Sequence, residues 1–197
     1  MKLMMGLFLL LSLGCASVSP NNNGVMVISQ GEYEKRIEVF SRKIETYQGL
    51  INTIHMSATL LNSQVIEAQL LQKARLFQWD QTTLDSERQK ALEEVNKTTQ
   101  IFVSLYTPEK KHDDLHKNQT LWKIFMDANG KRYEGKVKKI KLLTDEIRGL
   151  YAYHTRFATP YSIVFPVSVR SIENTNIKLT VTGPVGSATV QFKSLTQ

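Results

Sequence analysis

The 197-residue chain has a single cysteine, Cys15, so no disulfide forms within it. Between Gly49 and Pro108 there is neither glycine nor proline, which leaves a long span without a strong backbone breaker. After Gly14 no hydrophobic run is long enough to cross a bilayer. There is no GxSxG, SxxK or HExxH motif and no glycine loop to cradle phosphate. The isolated serines have no identifiable base beside them, so no catalytic residue is assigned. The expectation is a non-enzyme without a cofactor. No internal repeat is evident.

What is present begins at the N-terminus, MKLMMGLFLLLSLGC. Lys2 supplies a positive start, and Leu3 to Leu13 form an apolar run of signal-peptide length that is too short for a mature transmembrane helix. The run closes on Gly14-Cys15. This resembles the lipobox of bacterial lipoproteins, with Leu11 and Leu13 keeping its apolar character and Ser12 standing where the motif usually has Leu. The resemblance implies that residues 1–14 are a lipoprotein signal peptide and that Cys15 is the lipidation site, carrying palmitate-type acyl chains. The mature chain then has no free thiol. Each buried CH₂ contributes about 0.8 kcal/mol, so two or more chains anchor stably. The implied place is the cell envelope. Ala16 follows the cysteine instead of an inner-membrane-retaining Asp, so in a Gram-negative organism the outer membrane is implied, facing the periplasm or the cell surface. A plain secretory signal with a chance cysteine is the other reading of these residues.

Charge is uneven. From Glu32 to Gln100 nine Lys/Arg meet ten Asp/Glu, whereas from Tyr106 to Arg156 twelve meet seven, a net of +5 that accounts for most of the chain's +7. Such a bias suits an anionic envelope polymer or lipid headgroups, or simply a solvated surface. An exported, tethered chain has little occasion to meet nucleic acid.

Residues 15–30, rich in Ser, Asn, Pro and Gly around VMVI, read as a flexible tether. From Glu32 the period changes. Ile37, Phe40, Ile44, Tyr47, Ile51, Ile54, Ala58, Leu61, Val65 and Ala68 recur at alternating spacings of three and four, the stripe of a long helix with one seam. A second helix is predicted from about Leu84 to Thr98 after a turn near Asp80 to Thr83. Together these make residues 31–99 a helical hairpin or coiled coil, with one continuous helix to Tyr106 as the competing reading. The remainder alternates at period two: Ile101–Tyr106, Leu121–Asp127, Arg132–Lys139, Tyr161–Val169, Ile177–Thr182 and Ala188–Lys193. Asn129-Gly130 is a strong hairpin signal. The expected fold class is α+β: a long N-terminal helical hairpin, then an antiparallel β-sandwich of about six strands over residues 100–197.

Two segments have candidate chemistry. His112-Asp113-Asp114-Leu115-His116 places metal-ligand types close together, with the histidines four apart as on a helix face, but its polar, lysine-rich surroundings favour a solvated loop with a short helical turn, and no metal ligand is assigned. Tyr151, Tyr153, His154, Arg156, Phe157 and Tyr161 gather aromatics beside Arg and His in one connection, a composition found at binding hot spots and also in loops that cover the open end of a sandwich. The expected function is a lipid-anchored envelope protein with a structural or protein- or ligand-binding role and an envelope protein partner. The alternatives are a metal-binding protein or hydrolase using His112 and His116, and a periplasmic carrier of an apolar or anionic ligand.

Overall fold

A computed structural model describes residues 18–194. Cys15 and the signal segment lie outside the described residues. The described chain opens on a small hairpin, β1 (Val18–Pro20) and β2 (Met26–Ile28), where the sequence suggested only a tether. Val25 and Val27 are buried with Leu70, Ala74 and Leu84, and Ile28 packs with Tyr33 and Ile37. Val25, Val27 and Ile28 of the VMVI run are therefore core, while Met26 is exposed. Helix α1 (Gln30–Val39) follows, its first turn capped by the Ser29 side chain accepting from Glu32 N.

The expected long helix is not formed. Its stripe is divided among α1, strands β3 (Ser41–Gln48) and β4 (Ile51–Leu61), and helix α2 (Ser63–Leu76). Period two wins over period seven in β4. Ile54, Met56, Ala58 and Leu60 face the core, while His55, Ser57 and Thr59 face the other way. Gly49, with φ of +62°, makes the turn between the two strands, a conformation that costs a glycine little and other residues more. Asn62 caps α2 and Asp80 caps α3 (Gln81–Lys97), each accepting from the backbone N–H three residues on. The two helices pack together as an insertion between β4 and β5 (Thr99–Tyr106), which are hydrogen-bonded neighbours in one sheet.

The remaining elements are β6 (Lys123–Ala128), β7 (Lys131–Glu134), β8 (Lys136–Lys139), helix α4 (Thr144–Leu150), β9 (Thr159–Phe165), β10 (Ile177–Gly183) and β11 (Gly186–Phe192). Among the described residues the chain thus has four short helices and eleven strands in three antiparallel sheets. This replaces the expected helical hairpin followed by a separate sandwich. The larger sheets have the orders β3-β4-β5-β9-β8 and β11-β10-β6-β7. They face each other across a core that includes Met56, Val103 and Ile163 from one sheet and Met126, Leu179 and Val190 from the other.

The run predicted as one strand over Arg132–Lys139 is broken at Gly135, where the chain leaves one sheet and enters the other. A Cβ there would lie 2.6 Å from Ile163 Cγ2 and 2.9 Å from Phe165 Cε1, so the crossing requires glycine. At the opposite margin β11 runs along β3, and Arg42 Nε donates to Gln191 O at 3.1 Å. Among the described residues no helix is long and apolar enough to cross a membrane.

Candidate functional site

Pairing of β4 with β5 sets His55 opposite Tyr106 and Ser57 opposite Ser104. The alternation that sends Met56 and Leu105 into the core therefore sends these four side chains to the outer face of the five-stranded sheet. The segment after α4 crosses above them, and a groove of about 410 Å³ opens between His55, Ser57, Ser104 and Tyr106 on one side and Tyr153, Thr155, Phe157 and Ala158 on the other.

The upper wall is held at several points. The Tyr151 ring lies parallel on Phe102, 3.5 Å between centroids with 2° between planes, and the Tyr151 hydroxyl accepts from Gln69 Nε2 at 2.8 Å. Ser41 Oγ donates its hydrogen to Ile37 O at 2.8 Å. It must therefore accept from Thr59, 2.6 Å away, and Thr59 in turn accepts from the Tyr153 hydroxyl at 2.5 Å. This directed chain fixes the Tyr153 ring against the sheet. Ser104 Oγ and His154 Nδ1 are 2.8 Å apart, with His154 only 3% exposed.

The groove has no formal charge near neutral pH. Burial, then the Arg148 charge, holds the His154 pKa below the ordinary histidine value. Burial, then Lys43, does the same for His55, partly offset by Glu45 at 3.8 Å. Among the described residues, Ser57 Oγ and the Tyr106 hydroxyl have no hydrogen-bond partner. What the site offers is aromatic surface and free hydroxyls. The Ser104–His154 pair lacks the carboxylate that would orient the imidazole as a base, since the only ion pair of a histidine among the described residues is His55 with Glu45.

The six residues singled out from sequence separate. Tyr153 and Phe157 line the groove, and Phe157 is 65% exposed. His154 stands behind Ser104, and Tyr151 is buried packing. Arg156 lies 4.8 Å over the Phe157 ring. Tyr161 points to the opposite side of the sheet, in the core, and donates to Asp113 Oδ1 at 2.9 Å. Thr159 Oγ1 donates to the other Asp113 oxygen, so Asp113 clamps β9. Burial, then the Asp113 charge, pushes the Tyr161 hydroxyl pKa upward.

His112 and His116 do not share a helix face. His112 ends a 3₁₀ turn (Lys110–His112) and its carbonyl accepts from Trp122 Nε1, whereas His116 is exposed beyond it. Among the described residues no group of three or more His, Cys, Asp or Glu is arranged to hold a metal. The opposite groove wall, His55, Ser57, Ser104 and Tyr106, was not anticipated from sequence.

A second cleft, about 560 Å³, lies where the chain switches sheets at Gly135. Lys117, Lys123, Arg132 and Lys136 edge it against a single acid, Glu134. Arg132 is spent on a two-pronged bond to Asp127 at 2.8 and 3.0 Å and a stack on Phe125, which leaves three lysines for a ligand. Comparison of the chain with family models, with characterised proteins and with solved structures finds no match.

Proposed function

We propose that this chain is a lipid-anchored, non-catalytic binding protein of the cell envelope, and that it takes the uncharged, apolar part of a ligand into the groove between the outer face of β4–β5 and the 151–158 segment. Gly14-Cys15 supports the anchor, and Ala16 supports an outer-membrane location in a Gram-negative cell. The observation that carries the binding role is the groove itself. Its aromatic walls are fixed by Phe102 and by the Tyr153–Thr59–Ser41 chain, it has no formal charge, and the Ser57 and Tyr106 hydroxyls are open to orient a guest.

The test uses the neutral apolar fluorophore N-phenyl-1-naphthylamine as probe. Saturable one-to-one binding is expected, weakened at least about tenfold by Phe157→Ala and by the groove-filling Ser57→Leu. Unsaturable binding, or binding unchanged in both variants, refutes the role. Mass spectrometry of the mature N-terminus tests the anchor separately: Cys15→Ser should leave an unlipidated precursor.

A second reading is favoured by the lysine cleft, which suits an anionic envelope polymer. Binding of such a polymer should fall steeply with ionic strength and should be lost in Lys117→Ala/Lys123→Ala/Lys136→Ala while the groove still binds the neutral probe.

A further inference from the structure

We infer that the β1–β2 hairpin and the turn between α2 and α3 form a seat through which the body rests on the same bilayer that holds its anchor. The inference rests on lipidation at Cys15. Only Ala16 and Ser17 separate Cys15 from Val18, so the Cα atoms of residues 15 and 18 are at most about 11 Å apart in the most extended chain. A headgroup layer is roughly 5–8 Å thick. A hairpin beginning at Val18 therefore starts within that layer or a few ångström beyond its outer edge. Burial of Val25, Val27 and Ile28 in the core removes the tether that would have let the body stand further off.

The chemistry of that corner fits an interface. Register places Val18, Pro20, Met26 and Ile28 on one face of the hairpin; Ile28 is buried against Tyr33 and Ile37, whereas Val18 is 40% and Met26 56% exposed. The hairpin turn is stapled to the α2–α3 connection, with Asn21 Nδ2 donating to the carbonyls of Ala74 and Trp79 and Asn22 N donating to Gln78 Oε1. The staple brings Leu76, Phe77 and Trp79 to the same corner. Phe77 is 62% exposed and stacks with Trp79 at 6.3 Å. Isolated, these would be ordinary surface apolar residues. Gathered within reach of a lipidated N-terminus, they form an apolar and aromatic rim of the kind that settles at headgroup depth. Arg75 in the last turn of α2 adds positive charge near the rim; Lys73 in the same turn faces Glu87 and Glu94 across the groove between α2 and α3, and Asp80 is occupied capping α3. The occupant is therefore a phospholipid surface. The seat shares no residue with the groove.

The chain has two tryptophans, Trp79 in the seat and Trp122 buried in the core, which supplies an internal reference. The full lipidated protein is reconstituted into vesicles of phosphatidylethanolamine and phosphatidylglycerol, with and without acyl-chain-brominated lipid. Quenching of the Trp79 emission is expected, with Trp122 spared. Met26→Ser/Phe77→Ser, two exposed positions, should lose most of that quenching at equal lipidation and with an unchanged melting temperature. A protein shown by mass to be lipidated at Cys15 but equally bright in both vesicles overturns the seat and leaves the anchor standing. A mature protein without lipid at Cys15 overturns both.

Discussion

Phe102→Ala should remove the upper wall of the groove as well as part of the core. Phe102 lies on the outer face of β5, 2% exposed, with the Tyr151 ring stacked on it and Ile147 of α4 beside it. Deleting a buried phenylalanine ring costs about 3–5 kcal/mol, and a parallel aromatic pair adds about 0.5–1.5 kcal/mol beyond its buried area. Three segments meet on this ring: β5, α4 and the 151–158 segment. None can collapse onto an alanine without displacing the others, so the loss should be about 4 kcal/mol. At 2–4 °C per kcal/mol for a chain of this size, the melting temperature should fall by roughly 8–16 °C. Phe102→Leu keeps most of the volume and should cost about 1–1.5 kcal/mol. Urea unfolding measures both, and the neutral probe, added well below the new melting temperature, reports whether Tyr153 and Phe157 still form a wall. A loss under about 1 kcal/mol, or full probe binding in the alanine variant, would refute the claim that this stack holds the groove together.

Gly135→Ala places a methyl within 2.6 Å of Ile163 and should cost about 1–3 kcal/mol by overpacking, read from the urea midpoint. His154 and His55 are both held neutral in the fold, with pKa values below the ordinary histidine value of 6.5. The unfolded chain therefore binds their protons first as pH falls. Stability should be full above about pH 6.5, drop as pH descends toward the folded values and then level, and His55→Gln/His154→Gln should flatten that part of the urea-midpoint profile. A fragment of residues 99–197 should show no cooperative thermal transition by circular dichroism, because β5 loses its partner β4 and the core loses Ile54, Met56 and Ala58.

Most strands after residue 100 could be read because they alternate cleanly and are bounded by turn residues, with Asn129 and Gly130 both turning at positive φ as their pairing suggests; the exceptions are Arg132–Lys139, split between two sheets at Gly135, and Tyr161–Val169, whose strand ends at Phe165 before a 3₁₀ turn at Val169–Ser171. The first half misled for a physical reason. A stride of alternating three and four selects Ile51, Ile54, Ala58 and Leu61 from β4, but only Ile54 and Ala58 of these lie on its core face. The polar residues between the core positions, His55, Ser57 and Thr59, carry the true period. β3 could hardly be recognised at all. It is an edge strand, with Ile44 alone packed against the core. In so polar a segment the turn at Gly49 was the better signal, and a helical stripe treats that glycine as a tolerated defect.

The same error hid half of the candidate site. With β4 read as helix, His55 and Ser57 fall outside the apolar stripe, so only the covering segment after α4 stands out, by its aromatic content. Yet Ser57, Thr59 and Ser104 are buried, although they face away from the core between the sheets. Small polar residues become buried on the outer face of a sheet only where another part of the chain covers them. Tyr161 shows the converse. Composition grouped it with Tyr153 and Phe157, but it alternates in step with Ile163 and Phe165, and that period puts it in the core. Proximity in sequence assembles candidates, whereas strand parity decides which of them face the same space. By parity the groove belongs to Ser57, Ser104 and Tyr106 as much as to the aromatic segment above them. Substitutions on the sheet side should therefore alter ligand binding as strongly as those on the segment that first drew notice.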